Sequence, residues 1–262
     1  MKKWLSQVLT SVFCLAAGGV MAGEKLTVGS EGLSQLEVVS SMNNFTPSDN
    51  DFRIYFAGNS ITRHGFDRNT IKNLKWDHLS GMAASQESKD YAHLLASSIQ
   101  NTMPDKKVRL FFGRGSNPAG ALKGINDVVK FQPQLIIVQM GEHVKLDAVE
   151  EDVSQDYSAM LDAFLKIEPK PLIICVGVWE PLKGVEAYCG RVEMIDRVQG
   201  GVCKSRGIPY VSVEKYALDP QCSGTGGSDG VRWHPNDNGQ AGYAKEIFAC
   251  FQAANAPAKS EK

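Results

Sequence analysis

The sequence lacks a surplus of either charge. Its 28 Lys and Arg residues face 29 Asp and Glu, a net charge of −1 with histidine neutral. Nothing in that balance is built to track a phosphate backbone, so a nucleic-acid partner is not expected. The six cysteines include no C-x-x-C spacing, which argues against a zinc site. There is no G-x-x-x-x-G-K-[ST] phosphate loop and no G-x-S-x-G elbow, so neither nucleotide binding nor the common α/β-hydrolase nucleophile turn has a motif behind it. Apolar residues, by contrast, are not scarce. At 43% hydrophobic and 22% charged over 262 residues, the chain is near the globular average, which excludes collagen-like, low-complexity and disordered classes and leaves room for one sizeable domain or two small ones.

A membrane span is also missing from the N-terminus. Val8–Val20 is mostly apolar, but Ser6, Gln7, Thr10 and Ser11 leave the stretch short of the roughly 20 apolar residues a bilayer requires. With Lys2 and Lys3 ahead of it and Val20-Met21-Ala22 behind, residues 1–22 read as an export signal cleaved after Ala22. A lipoprotein site at Cys14 would want a small residue just before the cysteine, and Ser11-Val12-Phe13 lacks it. Cleavage would leave 26 basic and 29 acidic residues, no stable membrane anchor, and a periplasmic or secreted protein. Export permits disulfides. Of the five remaining cysteines, Cys175 lies in the apolar run Leu172–Val178 and is expected as a buried free thiol. Cys189, Cys203, Cys222 and Cys250 could form two bridges, in a pairing the sequence does not fix.

Five short apolar runs recur along the chain: 53–57, 108–112, 135–139, 172–176 and 208–213. Each is rich in β-branched and aromatic residues, as strands buried on both faces are. Apolar residues at helical spacing fill 91–101, 119–131, 149–167, 192–206 and 240–253. This alternation predicts an α/β fold, a three-layer α/β/α sandwich around a five-stranded parallel sheet, over residues 51–255. Residues 23–50 read as an N-terminal arm and 256–262 as a disordered tail. In such a sheet the ligand crevice lies beyond the carboxyl ends of the strands. That directs attention to the loops Gly58–Gly65, Gly113–Gly120, Gly141–Lys145, Gly177–Gly184 and Glu214–Asn238.

Ser60 follows the first strand in Gly58-Asn59-Ser60-Ile61-Thr62, where a serine can equally be a turn residue or a helix cap. His234 is followed by Pro235, which keeps it on extended backbone able to project into the crevice. Between them come Arg114-Gly115 after the second strand and Gly141-Glu142-His143 after the third. In this order the segments resemble those of the SGNH hydrolases, the GDSL-type esterase superfamily, over residues 53–250. The stretch Lys75–Ser85 with Asp90–Leu95 is similar to a bacterial subgroup. The resemblance implies a flavodoxin-like sheet, a metal-independent serine esterase without cofactor, and a small-molecule or glycan ester as substrate, O-acetyl groups on carbohydrate foremost. It implies Ser60 as nucleophile, His234 as its base, and an oxyanion hole from the Ser60 and Gly115 amides.

Two positions depart from the superfamily pattern. His143 stands where the oxyanion-hole asparagine is usual; a neutral imidazole can donate one N–H there, or the residue merely packs nearby. The usual D-x-x-H spacing is broken as well, since Val231 lies three residues before His234 and Asp229 five before it. Either Asp229 still reaches the imidazole through a bulged loop, or a backbone carbonyl orients it and the site is a Ser-His dyad. Asn59, Trp76, Trp179 and Trp233 lie on the candidate loops and are expected to contact substrate, although core packing accounts equally well for the tryptophans. His64, Asp67, Asp77 and His78 match no metal-ligand spacing. The same Ser-His pair would also serve an acyltransferase, and His143 with the displaced Asp229 would suit a glycan-binding domain without turnover. The oligomeric state is not readable from sequence.

Overall fold

The structure, a computed structural model, describes residues 36–145, 147–182 and 186–256, without the side chains of 186–190. The expected signal segment, residues 257–262 of the expected tail, and the Cys189 side chain lie outside the described residues.

Six strands form one open, wholly parallel sheet: β1 (Glu37–Val38), β2 (Asp51–Gly58), β3 (Lys107–Phe112), β4 (Leu135–Gln139), β5 (Leu172–Val176) and β6 (Tyr210–Val211), in the order β1-β3-β2-β4-β5-β6. The expectation of five strands is corrected by β1. This strand comes from the segment read as a polar arm and pairs Glu37 with Arg109 and Val38 with Leu110. Two residues are too few to show a period, but the chain continues as a packed segment. The Val39 amide donates to Leu110 O at 2.8 Å, Val39 and Met42 are buried, and the Phe45 ring lies 5.2 Å from Phe131.

The helices are α1 (Arg68–Leu74), α2 (Tyr91–Thr102), α3 (Pro118–Lys123), α4 (Ile125–Phe131), α5 (Glu150–Phe164), α6 (Glu186–Ser205), α7 (Glu214–Ala217), α8 (Asp229–Trp233) and α9 (Asp237–Ala254). Strand alternation sends Ile54 and Phe56 to one face with Leu95 and Ile99 of α2 and Tyr243, Ile247 and Phe251 of α9. Tyr55 and Ala57 go to the other face with Phe131 of α4 and Tyr157, Met160 and Phe164 of α5. Burying each such side chain contributes roughly 1.5–3 kcal/mol, and the two cores make three layers.

The expected bridges are not formed among the described residues. Cys203 packs with Cys175 on the α5 face, while Cys222 and Cys250 pack on the α9 face; all four thiols are free. The filled sheet keeps Cys203 apart from Cys222 and Cys250, so no bridge links the two faces.

From β2 the chain crosses to β3 on one side, and β4 lies on the other. The strand order reverses there, so the crevice opens between the carboxyl ends of β2 and β4.

Candidate functional site

The turn after β2 is built tightly. A Cβ on Gly58 would collide with the Thr62 side chain, so glycine ends the strand. The Asn59 side-chain oxygen accepts from the Ile61 amide at 3.0 Å, and the Asn59 carbonyl accepts from the Thr62 and Arg63 amides, each at 3.0 Å. Ser60 sits at the head of this turn, half-buried, with its carbonyl held by the Met82 amide at 2.8 Å.

His234 arrives from the opposite direction. Ser228 caps the one-turn helix α8 by accepting from the Val231 amide, and the chain leaves α8 extended at His234 (φ −78°, ψ 158°) ahead of Pro235. The imidazole is 2% exposed, with Nε2 at 2.7 Å from Ser60 Oγ and Nδ1 at 2.5 Å from Gly230 O. Because a carbonyl can only accept, Nδ1 carries the proton and Nε2 presents its lone pair to the serine hydroxyl. Burial pushes the His234 pKa down to about 3, against the opposing Gly230 hydrogen bond and helped by repulsion from the protonated forms of His64 and His143. The ring is therefore neutral, the form a base needs.

Asp229 is not the third member. Its carboxylate pairs with Arg232 on the solvent side, their side chains 40% and 49% exposed. The expected bulged loop is instead helical, and in a helix the carbonyl four residues back faces the residue that follows the last turn. Gly230 O thus takes the position the carboxylate was expected to fill.

The second turn depends on two glycines in contact. A Cβ on Gly115 would press into the backbone of Gly120 and lie 2.5 Å from the Ala121 amide nitrogen, while one on Gly120 would lie 2.8 Å from the Gly115 Cα. Among the described residues, neither the Ser60 nor the Gly115 amide donates to a protein acceptor, which leaves both free for an oxyanion. His143 follows β4, partly buried, and burial lowers its pKa, so its imidazole is neutral near pH 7.

Three of the expected substrate contacts are corrected. Asn59 is buried and spends its amide on Glu142 Oε2 at 2.5 Å. Trp76, 3% exposed, packs with Leu74, Met82 and Val231. Trp179, fully buried, donates its indole N–H to Trp233 O at 2.7 Å. Trp233 alone reaches open space. It stands edge-on to His234, with centroids 5.1 Å apart, and lines a cavity of about 300 Å³ with Pro181, Leu182, Leu218, Asp229 and Arg232. Among the described residues no three His, Cys, Asp or Glu side chains converge as a metal site. Asp67 caps α1, and His78 Nε2 bonds Ala84 O at 2.9 Å. No helix among them is long and apolar enough to cross a membrane.

Residues that sequence reasoning passed over complete the site. Gln240, fully buried, accepts from the Tyr91 amide at 2.9 Å and donates to Ile61 O and Pro235 O, tying the two loops together. Glu142 accepts from Asn59, from Gln139 and from the Trp179 amide. Neither stands out in the sequence: Gln240 follows the polar stretch Asn236–Gly239, and Glu142 sits inside the segment read for His143.

Residues 56–241 match the model of the GDSL-like lipase/acylhydrolase family. Comparison with curated proteins by sequence found no match. Among solved structures, the chain is similar to a two-domain esterase active on acetylated mannans (TM-score 0.55, 16% identity), with 81% of this chain aligned to 51% of that one, so it spans about half of that protein's length. It is similar to an α/β hydrolase from the metagenome of Lake Arreo, Spain (0.55, 16%, covering 78% of this chain and 97% of the other). It is also similar to a single-residue variant of an acetyl xylan esterase from Geobacillus stearothermophilus (0.51, 16%, covering 76% and 95%). Identities this low speak for the shared fold.

Proposed function

Because the chain belongs to the GDSL-like lipase/acylhydrolase family, we propose that it is an exported serine esterase that removes O-acetyl or similarly small acyl groups from carbohydrate. The observation that carries the reading is the Ser60 Oγ–His234 Nε2 contact at 2.7 Å with the imidazole tautomer fixed by Gly230 O. A serine hydroxyl becomes a competent nucleophile when a base within hydrogen-bond reach takes its proton during attack. Here His234 Nε2 takes the proton as Ser60 Oγ bonds the acyl carbon, and then gives it to the leaving sugar hydroxyl. Water, deprotonated by the same nitrogen, releases the acid and restores Ser60. The Ser60 and Gly115 amides receive the oxyanion, with the His143 N–H as third donor; one such donor is worth about 2.7–4 kcal/mol in the transition state.

The sugar assignment draws support from the fold shared with esterases of acetylated mannan and xylan; the cavity beside Trp233 is lined by neither Ser60 nor His234 and meets the pair through the Trp233–His234 ring contact. Export rests on the N-terminal sequence. A second reading, a glycan-binding domain without turnover, is favoured by His143 in place of an asparagine. Acetate release from acetylated xylan, assayed beside Ser60→Ala, separates the two: the esterase releases acetate only with Ser60 intact, and the binding domain retains the polymer and releases none.

A further inference from the structure

Glu142 lies next to His143 in the turn after β4, and its carboxylate is turned inward onto three buried partners. Oε2 accepts from Asn59 Nδ2 at 2.5 Å, and Oε1 accepts from Gln139 Nε2 and from the Trp179 amide, each at 2.8 Å. Each partner leads to a different part of the Ser-His pair. Asn59 immediately precedes Ser60. Gln139 Oε1 accepts from Thr62 Oγ1 at 3.3 Å, and Thr62 Oγ1 lies 2.7 Å from the Tyr91 hydroxyl, so the chain is held again two residues beyond Ser60. Trp179 donates its indole N–H to the carbonyl of Trp233, the residue immediately before His234. One carboxylate is therefore the common root of the nucleophile turn, the loop that carries the base, and the turn that carries His143.

We propose that Glu142 is a positioning residue that holds Ser60 and His234 in register through Asn59, Gln139 and Trp179, and that it does so only as the carboxylate. The proposal rests on the esterase reading. The donor inventory sets the condition. Asn59 cannot turn its amide around, because its oxygen is committed to the Ile61 amide at 3.0 Å. A proton on Oε2 would then face the Asn59 NH₂, donor against donor, and that contact would be lost. Burial pushes the Glu142 pKa up to about 7, opposed by the hydrogen bonds from the Trp179 amide, its own amide and Asn59, and reinforced by Asp196 of α6. The other titratable groups facing it are Tyr91 of α2 and Tyr243 of α9, both held neutral by burial. His234 is too acidic a cation to titrate near neutrality.

Glu142→Gln places an NH₂ opposite the Asn59 NH₂, while Glu142→Gln with Asn59→Asp restores complementarity with the polarity reversed. With p-nitrophenyl acetate, Glu142→Gln is expected to lower kcat about 10²-fold, the scale of a small misplacement of reacting groups, with KM changed by less than about threefold. The double variant is expected to regain at least about tenfold. Wild-type kcat/KM should rise with pH through a limb near 7 that Glu142→Gln, with no carboxylate at this place, lacks. The downfield Nδ1–H resonance of His234 should shift through that same ionisation in the wild type, whether or not any ester is turned over. An unshifted resonance between pH 6 and 8, or a folded Glu142→Gln enzyme within threefold of wild type, would overturn the proposal. A double variant that melts like the wild type yet is no faster than Glu142→Gln would do the same. Loss of Ser60 dependence in the parallel Ser60→Ala assay would instead strike the esterase reading and leave the resonance test standing.

Discussion

Acidification should expose the cost of burying His234. In the unfolded chain this histidine has its usual pKa of 6.5, and in the fold burial holds it near 3. Above pH 6.5 both states carry a neutral ring and stability does not depend on it. Below 6.5 the unfolded chain takes up the proton first, so stability is lost as pH falls, and the loss is complete once pH drops through about 3. At about 1.36 kcal/mol per pH unit, the full window corresponds to roughly 5 kcal/mol, and about 3 kcal/mol of it is gone by pH 4. The assay is urea unfolding at pH 7, 5.5 and 4, run beside His234→Gln, whose amide keeps a donor for Gly230 O but cannot be charged. His64 and His143, whose pKa values burial also lowers, act with the same sign in both proteins, so the comparison isolates residue 234. Wild type should lose about 3 kcal/mol more than the variant between pH 7 and 4. Parallel losses would refute the claim that the imidazole is held neutral by its surroundings.

Other substitutions separate the parts of the site. Gly115→Ala drives a methyl into the Gly120 backbone, so it should cost about 1–3 kcal/mol in thermal or urea unfolding and lower kcat about 10²–10³-fold by moving an oxyanion donor; unchanged kcat would remove Gly115 from the hole. Asp229→Asn breaks only a solvent-facing pair worth less than about 1 kcal/mol, and turnover should stay within about twofold. A fall near 10⁴-fold, as when a carboxylate sets the tautomer, would contradict the role given to Gly230 O. Trp233→Ala should raise KM for acetylated xylo-oligosaccharides while leaving that for p-nitrophenyl acetate unchanged, and equal effects on both would detach the cavity from sugar binding. Trp76→Ala should act on stability instead, by about 3–5 kcal/mol in urea.

The central strands were legible because strands buried on both faces are nearly continuous apolar runs. β4 and β5 fall at the expected residues, and β2 and β3 start one or two residues early. β1 was not legible because pairing with the sheet edge, and no pattern of its own, makes it a strand. Helix α1 escaped notice because its signal is local: the Asp67–Thr70 capping box sits in a polar stretch. Ser60 and His234 could be named from the order of the loop segments, and the fold brings them together across 174 positions. Asp229 misled because spacing in sequence says nothing of a one-turn helix, where a backbone carbonyl gets to the imidazole first. Trp76, Trp179 and Asn59 misled because a loop residue at the crevice can face inward as readily as outward, and only packing decides. Glu142 stood inside the very segment read for His143, but a buried carboxylate is recognisable only once its three donors are in place.

The most direct test of the central claim is p-nitrophenyl acetate hydrolysis by residues 23–262 and by Ser60→Ala at pH 8. Ser60 Oγ touches His234 and nothing in the core depends on it, so the variant should unfold within a few tenths of a kcal/mol of wild type. It should lose at least about 10⁴-fold in kcat/KM. Turnover that survives in a folded Ser60→Ala protein would contradict the account.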